Sequence, residues 1–396
     1  MSGKLIFINR YFHPDHSATS QMLSDLAFGL ARSGRQVEVI CSRQLYDDPG
    51  VRLSPGEGIR GVRVWRAGGT RFGRSGPGRL LDYLTFLLAA AWLLLRRAGR
   101  GDRVIFKTDP PMMSAFLWPI AALRGAVVYN WLQDLFPEVA VSLGVLPAGP
   151  ARPLRWFRDL GLRRARCNVA ICESMAARLL RRGLDEQRIT TIENWCDVEA
   201  LSRQDGDDLR RQWGLGDALV VGYSGNLGRA HPIEALQHAI GHFRDDARLR
   251  FLFVGGGHGY QLLRRWAEEN QLSNVVFKAY QPRSILGISL AVPDIHLVTL
   301  DQRLEGQIFP SKFYGVAAAG RACLFVGDVN GELARRIRTE RLGVSVPDGA
   351  ALVACLDELL ADRSEIEQYG RNARAHARLR CDISRALNQW DALLSR

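Results

Sequence analysis

Short apolar runs that alternate with helical segments constrain the fold of this chain more than any other feature. Residues 4–9 read KLIFIN, residues 22–31 repeat apolar side chains at helical spacing, and residues 36–41 read QVEVIC. A strand, a helix and a second strand in this order form a βαβ unit, the building block of a parallel sheet covered by helices. The pattern therefore predicts an α/β protein.

The alternation occurs in two series, which predicts two doubly wound domains with a cleft between them. The first series runs to about residue 195, and a charged segment without apolar runs follows at residues 196–217. A second series then begins with predicted strands at residues 218–223, 250–254, 275–278, 295–299 and 322–326. A chain of 396 residues is also longer than one core usually serves. We expect domains at residues 1–195 and 196–378, and a C-terminal helix, 379–396, that packs back on the first domain.

The charge and the cysteines limit the function classes. A net charge of +12 indicates an anionic partner, which could be nucleic acid, a phospholipid surface or a phosphorylated substrate. No zinc-finger spacing, aromatic-rich RNA motif or basic heptad segment supports nucleic acid. The seven cysteines form no CxxC pair, and no signal peptide precedes the first strand, so we expect a reducing, cytoplasmic setting.

One apolar run, Leu80–Leu95, raises the question of a membrane. Its sixteen residues contain Asp82 and are followed by Arg96 and Arg97. A spanning helix needs about 20 apolar residues, so we expect that this one does not cross a bilayer. A helix that is apolar nearly all round is either buried in a domain or lies in a membrane interface, where arginines suit anionic headgroups. Both readings stay open.

The stretch at residues 304–332 has the pattern of an anion site. Pro310 and Ser311 begin a predicted helix with Ser311 as its cap, Lys312 lies in the first turn, and Gly320 ends the helix. The free N–H groups of a helix amino terminus carry roughly half a positive charge, which favours a diphosphate. An ordinary capped surface helix with a solvated lysine is the alternative.

Two glycine-containing loops are predicted at the same edge of the second sheet. One is residues 225–229, GNLGR, and the other is the triple glycine at residues 255–257, which includes Gly256. Glycines let a backbone approach a ligand closely, and Arg229 together with Lys312 could clamp one diphosphate as it becomes a leaving group. Glu305 and Glu332 flank the same helix and could accept hydrogen bonds from sugar or ribose hydroxyls, although either alone also fits a surface carboxylate.

In the first domain the carboxyl ends of the predicted strands carry further polar residues. His16 and Ser17 follow the first strand, and Asp134 follows the strand at residues 126–131. Ligands of parallel α/β sheets bind at this edge, so we expect these residues to lie on the functional edge of the first sheet. No GxGxxG follows the first predicted strand, which argues against a dinucleotide site at this loop.

Taken together these motifs resemble glycosyltransferase family 4, close to bacterial O-antigen and exopolysaccharide transferases of the fucosamine-transferase type. The resemblance covers nearly the whole chain. It rests on the following segments, in this order: YFHPDHSATSQMLSDLAFGLARSGRQVEVI, WLQDLFPEVAVSLG, CNVAICESMAARLL with ITTIENWCD, YSGNLGRAHPIEAL, FLFVGGG with NVVFKAY, and LEGQIFPSKFYGVAAAGRA. It implies the GT-B architecture, which consists of two Rossmann-like domains.

The resemblance also implies site residues. The phosphates of the donor would lie against Gly225, Asn226, Arg229 and His231, with Ser311 and Lys312 at the diphosphate. Ala279, Tyr280 and Gln281 would hold the base. His16 and Ser17 would face donor and acceptor. Asp134 would occupy the position where related enzymes carry a catalytic or sugar-binding His or Asp, so Asp134, Arg229 and Lys312 are the predicted catalytic residues.

The chain departs from the family pattern in two places. Two glutamates eight positions apart are common in the family, and here those places hold Gln307 and Gly315. Gln307 stays in the predicted donor site, with Glu305 and Glu332 as substitutes for the glutamates. The usual lysine of the first loop is His231, so Lys312 could take over part of its role. Family members are mostly retaining and need no metal or other cofactor, which implies the same here.

We therefore expect a retaining transferase that moves a sugar, such as an N-acetylated deoxyhexosamine, from a UDP-sugar to a polyprenyl-diphosphate-linked saccharide. The basic charge and the Leu80–Leu95 helix motivate this lipid-linked acceptor and a peripheral attachment to the inner face of the cytoplasmic membrane. The alternatives are a soluble transferase acting on a small molecule, a UDP-sugar epimerase of GT-B fold, and a non-catalytic nucleotide-sugar-binding protein.

Overall fold

The computed structural model describes residues 3–46, 50–70, 72, 76–202 and 205–396. The chain divides into two compact units. Unit 1 consists of Met1–Glu193 with Ala386–Arg396, and unit 2 is Asn194–Arg385. The boundaries between the two units fall after residues 193 and 385, whereas the sequence predicts domain boundaries after residues 195 and 378.

Unit 1 is built on an eight-stranded sheet with the order β3-β4-β2-β1-β5-β6-β7-β8. Every neighbouring pair is parallel except β3 with β4. The strands are β1 Leu5–Ile8, β2 Val37–Ser42, β3 Gly56–Ile59, β4 Val62–Ala67, β5 Arg103–Phe106, β6 Val127–Leu132, β7 Cys167–Ala170 and β8 Ile189–Thr191. The helices are α1 Ala18–Arg32, α2 Gly76–Arg97, α3 Met113–Leu123, α4 Glu138–Ser142, α5 Ala148–Arg164 and α6 Glu173–Arg181.

The core of unit 1 explains why its strands read as continuous apolar runs. All four residues of β1 are buried, because β2 and β5 flank it and helices cover both faces of such a sheet. The edge strand β3 is the exception. Its sequence GEGI is exposed and has no alternation, so nothing in the sequence indicated it.

The apolar helix α2 differs from the sequence-based expectation in length and in its start. The sequence also predicts a basic, glycine-rich loop at residues 71–79, but Gly76–Arg79 form the first turn of this helix, which spans 22 residues. Arg71 and residues 73–75 of that loop lie outside the described residues. Phe86, Ala90 and Leu94 on one side of the helix are buried in the core.

By length and composition alone, one helix of the described chain could cross a membrane. It is Gly78–Arg97, with a mean hydropathy of 1.5 over the apolar window. The prediction that this segment is too short to span a bilayer rested on a length of sixteen residues. That length was wrong, since the helix extends further, so its length does not exclude a span. A little over a quarter of the window is buried inside the unit.

Unit 2 is built on a six-stranded sheet with the order β11-β10-β9-β12-β13-β14, in which all pairs are parallel. The strands are β9 Leu219–Asn226, β10 Leu249–Gly256, β11 Val275–Lys278, β12 Ile295–Thr299, β13 Ala322–Val326 and β14 Gly343–Val346. The helices of unit 2 are α7 Val198–Leu201, α8 Asp207–Gln212, α9 Ile233–His242, α10 His258–Glu269, α11 Leu286–Ala291, α12 Lys312–Ala319, α13 Glu332–Thr339, α14 Gly349–Ala361 and α15 Ser364–His376. The last helix, α16 Ile383–Ser395, begins in unit 2 and ends in unit 1.

Two local predictions in unit 2 need correction. The side chain of Ser311 makes no capping hydrogen bond to α12, so the predicted serine cap is wrong, although Gly320 ends the helix in the left-handed region as predicted. Trp390 and leucines at helical spacing also predict a helical tail over residues 366–396. It is interrupted by a π-helical turn at Ala377–Cys381 and by Asp382, which is extended.

Candidate functional site

The carboxyl edge of the unit 2 sheet brings Lys312 against the end of β9. Gly225 has a φ of +118°, and a Cβ placed there would lie 3.1 Å from Cε of Lys312. Any other residue would be strained at this φ and would press on the lysine chain. Glycine at position 225 therefore lets a strand end and the first turn of α12 meet.

The ammonium group of Lys312 is held by His231 from the loop after β9. Nζ of Lys312 lies 3.3 Å from Nε2 of His231. Nδ1 of His231 lies 2.8 Å from the carbonyl oxygen of Thr299, which can only accept, so Nδ1 carries the proton and Nε2 is free to accept from Lys312. The ammonium also lies 5.0 Å from the ring centre of Tyr223, a cation–π distance.

Burial tunes both groups. It lowers the pKa of His231 to about 3, with the Lys312 charge as the next cause, so the imidazole is neutral near pH 7. It lowers the pKa of Lys312 to about 8. A cation that is partly desolvated and has no carboxylate among its described contacts is suited to an incoming anion.

The triple glycine packs against the loop after β9. Gly257 has a φ of +112°, and a Cβ there would lie 2.2 Å from Oδ1 of Asn226. Tyr280 is exposed and its ring edge lies 3.0 Å from the position of a Cβ at Gly256. The glycines thus leave a backbone surface beside Asn226 with an exposed aromatic ring at one side, on which a nucleobase can stack.

Glu305 and Glu332 lie together and are already hydrogen-bonded within the protein. Oε1 of Glu305 accepts a hydrogen bond of 2.9 Å from the backbone N–H of Glu332, the first residue of α13. Glu332 is buried and its Oε1 lies 3.4 Å from Nη2 of Arg336. Gln307 is buried and donates from Nε2 to the carbonyl oxygen of Arg303 at 2.7 Å. Their predicted contacts with ligand hydroxyls stay predictions.

The remaining predicted donor residues are placed around this edge. Ser311 is exposed at the start of α12, and Arg229 is exposed in the loop after β9. Gln281 follows β11 and donates from Nε2 to the carbonyl oxygen of Ala279 at 2.9 Å. The structure therefore brings Gly225, Lys312 and His231 into direct contact, while Arg229 reaches into solvent.

In unit 1 the predicted acceptor residues lie on one edge of the sheet. Asp134 follows β6, and His16 and Ser17 lie between β1 and α1, so β5 separates the two groups. His16 is exposed. The backbone N–H of Ser17 donates to Oδ1 of Asp15 at 2.8 Å, which orders the loop.

Asp134 has an unusual environment. Burial raises its pKa to about 6, a hydrogen bond from Thr108 lowers it, and the charge of Asp109 raises it further. Within the described part of the chain its Oδ1 is buried without a hydrogen-bond partner. A carboxyl group that can gain or lose a proton near neutral pH is suited to orient or deprotonate a hydroxyl.

Sequence reasoning missed charged residues at this edge of unit 1. Arg10 follows β1, Asp109 follows β5, Arg79 and Tyr83 lie in α2, and no local motif joins the four residues. The available signal was position, because Arg10 and Asp109 each stand a few residues after a buried strand. Among the described residues, no group of three or more His, Cys, Asp or Glu side chains is arranged to hold a metal ion.

Comparisons with known proteins agree with this architecture. Residues 18–195 match the family model described as a glycosyl transferase 4-like domain. The probable glycosyltransferase WbjE of Pseudomonas aeruginosa is 30% identical over 303 residues, which cover 73% of this chain and 74% of WbjE. The putative colanic acid biosynthesis glycosyl transferase WcaI of Escherichia coli K12 is 25% identical over 410 residues and covers 98% of each protein.

Solved structures show the fold. Sucrose-phosphate synthase of Thermosynechococcus elongatus has a TM-score of 0.76 at 17% identity, over 99% of this chain and 98% of that one. HepE of Anabaena, in complex with UDP and glucose, has a TM-score of 0.74 at 15% identity over 99% of each chain. The two parallel sheets have the GT-B architecture. With the match to WbjE across most of both chains, we conclude that this protein belongs to glycosyltransferase family 4.

Proposed function

We propose that this glycosyltransferase moves a sugar from a UDP-sugar to a polyprenyl-diphosphate-linked saccharide in the synthesis of a bacterial surface polysaccharide. The names of WbjE and WcaI support a glycosyltransferase role, and that of WcaI supports polysaccharide synthesis. The UDP complex of HepE supports the choice of nucleotide. The transferred sugar is an N-acetylated deoxyhexosamine or another hexose derivative.

The observation that carries the donor assignment is the Lys312 environment. The ammonium is positioned by neutral His231 at the amino end of α12 and next to the close approach at Gly225. A diphosphate at this point would gain the lysine charge and the helix N–H groups together. Arg229 would add a second charge from the solvent side as the leaving group forms.

The reaction would proceed without a metal and with retention of configuration. Lys312, Arg229 and the end of α12 supply the positive charge that a metal ion supplies in other transferases. Asp134 would orient the acceptor hydroxyl or stabilise the positive charge on the sugar.

The outer side of α2 supports a peripheral position on the inner face of the cytoplasmic membrane. Leu84, Leu88 and Trp92 recur at intervals of four and are 43%, 71% and 55% exposed. The guanidinium of Arg96 lies 4.5 Å from the ring centre of Trp92, which places a cation at the border of this apolar face. Since the opposite side of α2 belongs to the core, the helix would lie in the interface and not cross it.

Vesicle flotation tests the membrane part. Leu88→Ser should weaken partition to vesicles rich in phosphatidylglycerol by about tenfold, because one fully inserted leucine contributes roughly 1.5–3 kcal/mol. Leu379→Ser is the matched control, since Leu379 is equally exposed (72%) but lies in unit 2. Equal partition of both variants and the unaltered protein would rule out this face as the contact.

A transfer assay tests the activity. The purified protein is incubated with radiolabelled UDP-sugars and a lipid extract that contains polyprenyl-diphosphate saccharides. Label should enter the lipid fraction only when the extract is present, with EDTA having no effect. Label in the free sugar or an epimer without any acceptor would instead support the epimerase alternative.

A further inference from the structure

We propose that Arg10, Arg79 and Tyr83 of unit 1 form a binding site for a diphosphate group, and that its ligand is the diphosphate of the prenyl-linked acceptor. The inference rests on the proposed function and assigns the acceptor's charged group to named residues. Nothing in the sequence motifs pointed to these three residues together.

The first support is the state of Arg10. Its side chain is 8% exposed, and in the part of the chain that the structure describes its Nε has no hydrogen-bond partner. Its guanidinium lies over the rings of Tyr11 and Tyr83, at 5.3 and 5.0 Å from their centres. Among the described residues no carboxylate forms a salt bridge with Arg10, although its charge lowers the pKa of nearby Asp109. A buried guanidinium without such a salt bridge is costly unless an anion joins it.

The second support is that α2 brings another cation to the same ring. Nε of Arg79 donates to the hydroxyl of Tyr83 at 2.7 Å, and its guanidinium lies 5.3 Å from the Tyr83 ring centre. Arg79 is exposed, so the group is reachable from solvent on that side. Two arginines around one tyrosine offer several N–H donors in planar forks, which match phosphate oxygens.

Among the described residues, the neighbouring charges leave the site positive, because Arg10 and Arg79 outnumber the opposing carboxyl group of Asp109. Asp15 is committed to its loop, because its carboxylate accepts from the backbone N–H groups of Ser17 and Tyr46 at 2.8 and 2.5 Å. Lys107 is also committed, since its Nζ donates to the carbonyl oxygen of Thr19 at 2.6 Å. Asp109 opposes the arginines, but burial raises its pKa to about 6, so its negative charge is held less firmly than that of an ordinary carboxyl.

The geometry of α2 favours the acceptor as the source of the diphosphate. The helix follows β4 and precedes β5, so its amino end lies at the carboxyl edge of the parallel sheet. Arg79 and Tyr83 lie toward the amino end of α2, on the same side as the buried residues Phe86, Ala90 and Leu94. The leucines on the outer side of the helix are exposed. One helix thus offers cations at the ligand edge and an apolar face to a bilayer, which matches an amphiphile with a charged head and a prenyl tail.

Titration with farnesyl diphosphate, farnesol and UDP tests the site. Arg10→Gln should weaken farnesyl diphosphate binding by about tenfold or more, because it removes charge-assisted hydrogen bonds to phosphate. Farnesol and UDP binding should not change. Arg79→Gln, at an exposed position that does not threaten folding, should weaken farnesyl diphosphate in the same direction.

Arg63→Gln is the matched control. The guanidinium of Arg63 also lies over an aromatic ring, 5.9 Å from the ring centre of Trp65. Arg63 is near the amino end of β4, away from the carboxyl edge of the sheet, so farnesyl diphosphate binding should be unaltered. Unchanged farnesyl diphosphate affinity in both Arg10→Gln and Arg79→Gln would overturn the proposal. Loss of UDP affinity alone would overturn it too, by assigning the arginines to the donor. If the unaltered protein binds UDP but not farnesyl diphosphate, this inference fails while the proposed donor site stands.

Discussion

The two sheets of this protein present different chemistry at the same edge. In unit 2 the carboxyl ends of β9 and β10 are glycine-rich, and the cation there is Lys312 beside a neutral histidine. In unit 1 the residues directly after β1, β5 and β6 are Asn9, Lys107 and Gln133, and they are followed by buried Arg10 and by the half-buried Asp109 and Asp134. Unit 2 is suited to bind a ligand with its backbone, and unit 1 with its side chains.

If unit 2 binds the donor and unit 1 the acceptor, as proposed above, the difference explains how one fold can serve two substrates in one reaction. A nucleoside diphosphate has the same shape in every turnover, which suits a tight backbone surface with little side-chain freedom. A saccharide acceptor varies between enzymes, and side chains at an unchanged sheet edge are the simplest element to vary.

The largest effect should come from adding a side chain to the backbone surface of unit 2. Gly257→Ala places a methyl group 2.2 Å from Oδ1 of Asn226 at a φ of +112°, so it should lower the free energy of unfolding by about 3 kcal/mol or more, or abolish UDP binding by displacing the loop. Urea denaturation with a UDP titration measures both.

Gly214→Ala is the control for backbone strain alone. Gly214 also has a positive φ, +70°, but a Cβ there meets nothing within 4 Å, so the loss should be about 1 kcal/mol. Equal losses of unfolding free energy at both positions would mean that the carboxyl edge of the unit 2 sheet is no more closely packed than an open turn. That result would contradict the contrast drawn between the two sheets.

A smaller effect should appear in the pH dependence of donor binding. The pKa of Lys312 is lowered to about 8, so the ammonium is charged below pH 8 and is lost as the pH rises through it. The contribution of this charge to UDP affinity should therefore be nearly complete at pH 7, about halve by pH 8 and fall by up to about tenfold per pH unit well above it. His231, with its pKa lowered to about 3, stays neutral throughout.

Lys312→Arg sharpens this result. Arginine keeps its charge in proteins, so the fall above pH 8 should disappear, although the affinity at pH 7 can be lower because the fork does not fit the lysine position. A fall of the same size in this variant would assign the titration to a group other than Lys312.

The smallest effect should be a gain in stability in unit 1. In the folded protein the pKa of Asp134 is raised from 3.8 to about 6. Above pH 6 the ionised carboxylate therefore lowers the free energy of unfolding, and this destabilisation disappears as the pH falls toward 3.8. Asp134→Asn should therefore stabilise the protein by about 1–2 kcal/mol at pH 7 and by almost nothing at pH 4, while transfer activity falls. Urea denaturation at the two pH values decides it, and a loss of stability at pH 7 would contradict the assignment.

The same contrast explains what sequence could predict. The contacts of unit 2 follow from local features: Gly225 needs its positive φ, and Lys312 lies in the first turn of a helix whose end at Gly320 is visible in the sequence. The family resemblance then indicated that the glycine loops and the start of α12 form one site. The predicted cap of Ser311 failed because its backbone is already helical and its side chain makes no capping bond.

In unit 1 sequence predicted the sheet and the position of Asp134 but not its neighbours. Arg10, Arg79 and Asp109 are far apart in the chain and meet only because β1 and β5 are adjacent and α2 passes their ends. No spacing rule connects them. The hydrogen bond that the backbone N–H of Glu332 donates to Glu305 was missed for a similar reason, since the two residues are 27 positions apart.

Calorimetric titration of the purified protein with UDP and GDP, each with and without EDTA, tests the central claim most directly. The account predicts UDP binding that EDTA does not change and that Lys312→Met weakens by about a hundredfold, since both a charge and a positioned donor are lost. Arg229→Met should weaken it less, because Arg229 is exposed. Binding of neither nucleotide, or binding that Lys312→Met leaves intact, would contradict the donor site at this edge.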